Sequence, residues 1–165
     1  MKWFLPAFLL SILIFPNAFG QERKHTLVID LFPMINGIFS GGIGLGIGYE
    51  YDINNYFAIG ADIKFYTDFN ESLTYNMIIR GKYYPLETKT GSPFIDAGLG
   101  YRRRQAEEDN IHCLVGMVCS GWKFTFKNNL VLEPGVGFRY DIVTFSGNEN
   151  YKFGFVIRSA IGFTF

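Results

Sequence analysis

Apolar and polar residues alternate with a period of two along most of this chain. The pattern is fullest at 151–165, where Tyr151, Phe153, Phe155, Ile157, Ile161, Phe163 and Phe165 share one face. Lys152, Gly154, Arg158, Ala160, Gly162 and Thr164 share the other, and only Val156 and Ser159 break the rule. Successive side chains of a strand point to opposite sides of its sheet, so this spacing predicts a strand with one apolar and one small or polar face.

The same division predicts strands at 26–35 and 38–52, joined at Asn36-Gly37, a dipeptide suited to a type I′ hairpin turn. Further strands are expected at 57–66, after Asn54-Asn55, and at 73–84, 94–102 and 111–126, then at 130–141 after Lys127-Asn128-Asn129. Polar connections are expected at 67–72, 85–93, 103–110 and 142–150. Pro33 and Pro134 lack an amide hydrogen, so Pro33 predicts a bulge or frayed strand end and Pro134 a bulge. The total is about eight antiparallel strands, mostly of the ~9–11 residues that cross a bilayer at a tilt. An even count returns both ends to one side.

Alternation alone leaves open whether the apolar face points inward, as in a soluble lipocalin-like barrel, or outward into lipid. Composition decides for lipid. The 18 Phe and 10 Tyr exceed what the narrow interior of an eight-stranded barrel holds, and 19 Gly need a crowded face to occupy. Aromatics also gather near strand ends, among them Tyr49, Tyr51, Phe57, Tyr83, Tyr101, Trp122, Phe126 and Tyr140, as interfacial girdles do. The opposite face carries glycine and charges of both signs. Glu50, Asp52, Asp62, Asp96, Glu133 and Asp141 stand against Lys64, Arg80, Lys82, Arg102, Lys123, Arg139, Lys152 and Arg158. Enclosed charges are costly unless paired, so this near-balance predicts a network of ion pairs across the lumen.

Three features place the chain in a compartment. Lys2, an apolar run over 3–15 and the small-residue site Ala18-Phe19-Gly20 predict a secretory signal at 1–20, cleaved before Gln21. An uncleaved anchor helix is disfavoured by the short run and by Pro6 and Pro16. The remaining 21–165 is one domain. Its 15 acidic and, without Lys2, 14 basic residues give no footprint for nucleic acid. Cys113 and Cys119 share a strand face about 20 Å apart, too far for a disulfide, and are expected to be interior thiols. No metal-ligand spacing and no cofactor motif is found. The Gly-x-Gly pairs alternate strictly and precede no helix, unlike a dinucleotide loop.

Gly46-Ile47-Gly48-Tyr49, Gly98-Leu99-Gly100-Tyr101, Gly135-Val136-Gly137-Phe138 and the ending Phe163-Thr164-Phe165, together with the signal and the strand pattern, resemble the small eight-stranded outer-membrane barrels of diderm bacteria. The likeness is to OmpA-like or OmpX-like barrels and covers essentially all of 21–165. It implies an all-β, up-and-down transmembrane barrel in the outer membrane, in contact with outer-membrane lipid and expected to be a monomer. It also implies that Phe165, with Phe163, is read by the barrel assembly machinery. No peptidoglycan-binding segment follows, so tethering to the cell wall is not expected.

The expected function is non-enzymatic, structural or surface-interacting, with a lumen filled by glycine and paired charges. A narrow channel for small or apolar solutes is the alternative. A lipid-modifying enzyme would need a nucleophile and an acid-base group in reach, but only His25 and His112 are available, and His112 lies eight residues from Ser120 along one strand, so that pair cannot meet. Arg102-Arg103-Arg104 before Glu107-Glu108-Asp109 can touch anionic headgroups or form a self-compensating loop.

Overall fold

The computed structural model describes residues 25–33, 42–68, 72–86, 91–105, 110–145 and 153–165. The expected signal, the Asn36-Gly37 turn and the pair Tyr151 and Lys152 lie outside them. The strands are β1 (His25–Asp30), β2 (Gly42–Asp52), β3 (Phe57–Asp68), β4 (Leu73–Tyr83), β5 (Gly91–Gln105), β6 (Asn110–Thr125), β7 (Leu130–Thr144) and β8 (Phe153–Thr164). Each pairs antiparallel with the next, and β1 closes the barrel on β8 from Thr26↔Thr164 to Asp30↔Ala160. The fold is therefore the eight-stranded up-and-down barrel expected from the alternation. Eleven residues at ~3.3 Å each, tilted ~45°, rise ~25 Å, the height of a membrane barrel's apolar band.

One end carries the tight turns. Asn54 Oδ1 accepts bonds from the backbone amides of Tyr56 (2.8 Å) and Phe57 (2.9 Å), bending β2 into β3. Between β6 and β7, Asn129 takes a left-handed backbone (φ 68°), which its short polar side chain tolerates. His25 and Phe165 meet at this turn end through two backbone hydrogen bonds of 3.2 and 2.8 Å. The other rim is the loop end, reached by β5, β6 and β7, which run to 15 or 16 residues.

Several boundaries differ from the sequence expectation. β1 stops at Asp30 instead of 35, because the Asp30 carboxylate accepts the Phe32 amide (3.1 Å) and starts a helical turn at Phe32-Pro33. β5 begins at Gly91, inside the expected connection, and pairs there with β6 alone; the β4 ladder starts at Ile95, so Pro93 occupies a one-sided position where a missing donor is tolerated. At the loop end the expected connections give residues to strands, with Arg103–Gln105 extending β5, Asn110 opening β6 and 142–144 completing β7. Ladder bonds need no apolar side chains, so hydropathy was a poor guide to where these strands stop.

The expected bulge at Pro134 is absent. Its pairing with Ser159 continues the β8 register, and on the β6 side Gly121↔Gly135 and Phe124↔Leu132 keep one register across it. A Cβ on Gly121 would lie 2.3 Å from the Pro134 carbonyl oxygen, so Pro134 turns its bonding edge toward β6. N–H and C=O of an extended residue share one edge, and the missing donor leaves a gap in that ladder without a slip. The register shift falls at Leu114/Val115, where β7 gains Ile142.

The apolar face is outside. Phe155 and Ile79 are 79% and 75% exposed, while Asp96 and Glu133 are fully buried. This is the inverse of a soluble barrel, whose apolar face would point in. Aliphatic residues such as Ile47, Ile63, Met77, Leu99 and Val118 form the outer middle band. Aromatic pairs lie toward the rims, Phe57 against Tyr83 (5.0 Å) and Trp122 against Phe124 (6.2 Å) at the turn end and Phe138 against Phe153 (5.1 Å) toward the loop end.

Candidate functional site in the barrel lumen

Inward positions converge on a barrel axis only a few side chains wide, so residues far apart in sequence meet there. In the turn-side half, Glu50 of β2 is the hub. Its Oε1 accepts from Tyr84 Oη (2.7 Å) and Lys123 Nζ (2.6 Å), and its Oε2 from Arg80 Nη1 (3.3 Å) and Lys82. Glu133 of β7 takes Lys82 Nζ at 3.0 and 3.1 Å and Arg158 Nε and Nη2 at 2.9 and 2.7 Å. Asp62 lies 3.0 Å from Arg80 Nε and 3.2 Å from Arg158 Nη1, and Asp96 lies 3.3 Å from Arg80 Nη1. Strands β2 to β8 each contribute a charge, and β1 adds Thr26, which bonds Lys123 (3.2 Å) and Thr164 (2.8 Å).

Every ion in this cluster except Lys123 is at most 3% exposed, and Lys123 is 8% exposed. Taking one such charge from water costs several kcal/mol, so each must be compensated by neighbours. Glycine makes the approach possible. A Cβ on Gly48 would stand 2.2 Å from Asp62 Oδ1, and one on Gly121 would stand 2.7 Å from the Phe94 ring, so both positions are filled by a neighbour's side chain.

The loop-side half is built differently. Lys64 binds Asp30 at 2.5 Å, Arg102 binds Asp141 at 2.5 Å, and Arg139 Nε stands 3.9 Å from Asp141. The inward row of β6 here is apolar, with Ile111, Cys113, Val115 and Met117 packed on Ile78 and Val156. The expected inner face of glycine and charge therefore holds for most strands but not for β6, whose Cys113 and Cys119 are buried free thiols. Between this apolar wall and the basic one lies a cavity of about 330 Å³.

Of the fourteen charges singled out in the sequence, Lys152 lies outside the described residues and Asp52 stands half-buried at the end of β2, 3.8 Å from Lys123, while the other twelve divide into two groups. Glu50, Asp62, Arg80, Lys82, Asp96, Lys123, Glu133 and Arg158 meet in one, and Lys64, Arg102, Arg139 and Asp141 lie in the other. Sequence reading missed Asp30, Thr26, Tyr84 and Phe94. The signal for the last two was parity, since Tyr84 follows Arg80 and Lys82 by even steps and Phe94 precedes Asp96 by two. The Phe94 ring lies 4.5 Å from Lys82 Nζ, a cation–π contact. Of the predicted assembly residues, Phe163 is outward and exposed, and Phe165 stacks on His25 with centroids 5.8 Å apart.

Neither histidine stands beside a serine among the described residues. His25 Nδ1 pairs with Tyr49 Oη (2.6 Å), His112 pairs with Tyr101, and Ser120 is exposed four pairs along from His112 on the same outer face. Among the described residues no group of His, Cys, Asp and Glu could hold a metal ion, and no helix is long and apolar enough to cross a membrane.

The chain is a small closed barrel with an apolar exterior and an ion-paired core, and three solved structures share its fold. Neisserial surface protein A superposes with a TM-score of 0.61 at 15% identity over 87% of this chain and 96% of that one. The N-terminal barrel domain of Pseudomonas aeruginosa OprF gives 0.63 at 12% over 88% and 100%, and the Yersinia pestis outer membrane protein Ail, solved in a bilayer nanodisc, 0.50 at 12% over 87% and 100%. The likeness is one of fold, and that fold is the small eight-stranded barrel of outer-membrane proteins. No family model matches the chain, and no curated protein matches it.

Proposed function

We propose that this protein is an integral outer-membrane barrel, exported by its first twenty residues, with the turn end periplasmic and the loop end at the cell surface. It acts without catalysis, as a structural or surface-interacting element, and its lumen does not conduct. The observation that carries this reading is the inversion of an ordinary protein: apolar side chains lie exposed around a closed wall, and the charges are buried inside it. Such a wall leaves no backbone edge unpaired in lipid. The similar fold of bacterial outer-membrane proteins supports the location.

The closed lumen rests on the Glu50, Lys82, Glu133 and Arg158 chain, which spans the interior from β2 to β8 with almost no solvent exposure. Phe163 and Phe165 are proposed as contacts for the assembly machinery. The test is fractionation followed by detergent gels of unheated and heated samples. Recovery with the outer membrane and a shift in migration on boiling are expected; recovery in the soluble periplasmic fraction without a shift would sink the membrane reading. Planar-bilayer recordings separate a closed lumen from a channel, since reproducible single-channel steps contradict closure.

A further inference from the structure

The two halves of the lumen differ in charge. Around the loop-side cavity stand four cations, Lys64, Arg102, Arg104 and Arg139, and among the described side chains only Asp30 and Asp141 are ion-paired with them. Among the described residues, then, four positive charges stand against two negative ones. Two of these cations also retain unused bonding capacity. Arg102, 8% exposed, holds a buried Nε with no hydrogen-bond partner, and the buried Nε of Arg139 has only its 3.9 Å ion pair with Asp141. Facing them is the apolar wall of Ile78, Met117 and Val156.

We infer that the loop-side half of the lumen binds a small organic oxyanion, a carboxylate or phosphate head on a short apolar tail. The head sits among Arg102, Arg104 and Arg139, where it neutralises the excess charge and forms bidentate bonds that lysine cannot offer. The tail lies on Ile78, Met117 and Val156. A volume of about 330 Å³ is at the small end of ligand cavities, which limits the ligand to a few heavy atoms beyond its head. The turn-side network floors the cavity, so the site is a dead end reached from the loop side.

The site can be tested on the mature protein refolded in detergent, with folding verified by heat-dependent migration of the same sample. Binding is read on the folded barrel, so its failure is distinct from failure of the outer-membrane location. Arginine Nε–Hε signals are followed by NMR during titration with acetate, butyrate, inorganic phosphate and butylammonium. Saturable shifts are expected with the three anions and none with butylammonium. Affinity should rise about four-fold for each methylene added from acetate to butyrate. Arg139→Gln should weaken butyrate at least ten-fold; if it does not fold, the rim variant Arg104→Gln serves, with at least a three-fold loss expected. Absence of saturable shifts, an equal response to butylammonium, affinity independent of chain length, or unchanged binding in the folded variant would overturn the assignment.

Discussion

The turn-side and loop-side halves of the lumen solve one problem in two ways. In the turn-side half, Glu50 alone receives Tyr84, Lys123, Arg80 and Lys82, and Glu133 receives Lys82 and Arg158. In the loop-side half, two carboxylates meet three cations, Arg139 is 29% exposed, and an apolar wall faces a cavity. A buried ion in the first half has only protein to compensate it, whereas an ion in the second can draw on water entering from the rim. The lesson is that a barrel interior is stratified. Charge deep in the wall is structural because it has no alternative partner, and charge near the mouth is available for a ligand.

Breaking the deep hub should have the largest effect. Glu50→Gln keeps the shape but leaves Lys82 and Lys123 short of a counter-charge, and should lower stability by about 3–5 kcal/mol. Asp141→Asn removes the equivalent charge at the loop side and should cost only about 1–3 kcal/mol, since Arg139 can be hydrated. Urea unfolding in lipid vesicles, followed by tryptophan fluorescence, measures both. Equal losses, or a larger loss for Asp141→Asn, would remove the distinction between the halves.

Packing sharpens the comparison further. Gly48→Ala drives a methyl group against Asp62 and Val28 in the deep half and should cost about 1–3 kcal/mol. Gly81→Ala, on the outer face with nothing within 4 Å, should change stability by less than about 0.5 kcal/mol. If the two variants unfold at the same urea concentration, the deep lumen is not close-packed. A modest change in folded-state stability is expected at the end of the closing strand. Phe165→Ser loses the His25 stack, about 0.5–1.5 kcal/mol, and Thr164→Ser keeps the hydroxyl that bonds Thr26. In cells, Phe165→Ser should nonetheless lower the yield of inserted barrel well below that of Thr164→Ser, read as the heat-modifiable fraction of the outer membrane. Equal yields would count against Phe165 as an assembly contact.

That Glu50, Asp62, Arg80 and Glu133 share the polar face of their strands was legible from residue parity, because a strand has only two faces, and the volume of the aromatics made that face the inner one. Tyr84 and Phe94 obeyed the same parity but were hidden by their chemistry, since aromatics were assigned outward as a class. The place of Phe94 inside depends on Gly121, its partner on β6, and Gly135 beyond it on β7, which leave space for the ring. β1 offers a similar case. Its alternation continues to Asp30, but its end is set by a carboxylate that bonds the amides of Phe32 and Ser159, the latter 129 positions away.

What the sequence determined by itself is the set of strands, the face each side chain takes and the outward direction of the apolar face, because these follow from a local period of two and from the volume of the aromatics. Which charges pair was decided only by the tertiary structure. Lys82 meets Glu133 and Lys123 meets Glu50 across the barrel interior, and those encounters depend on strand tilt and register around the closed wall. The same closure places the register shift at Ile142 instead of Pro134, and divides one set of twelve charges into a sealed network and an open, basic chamber.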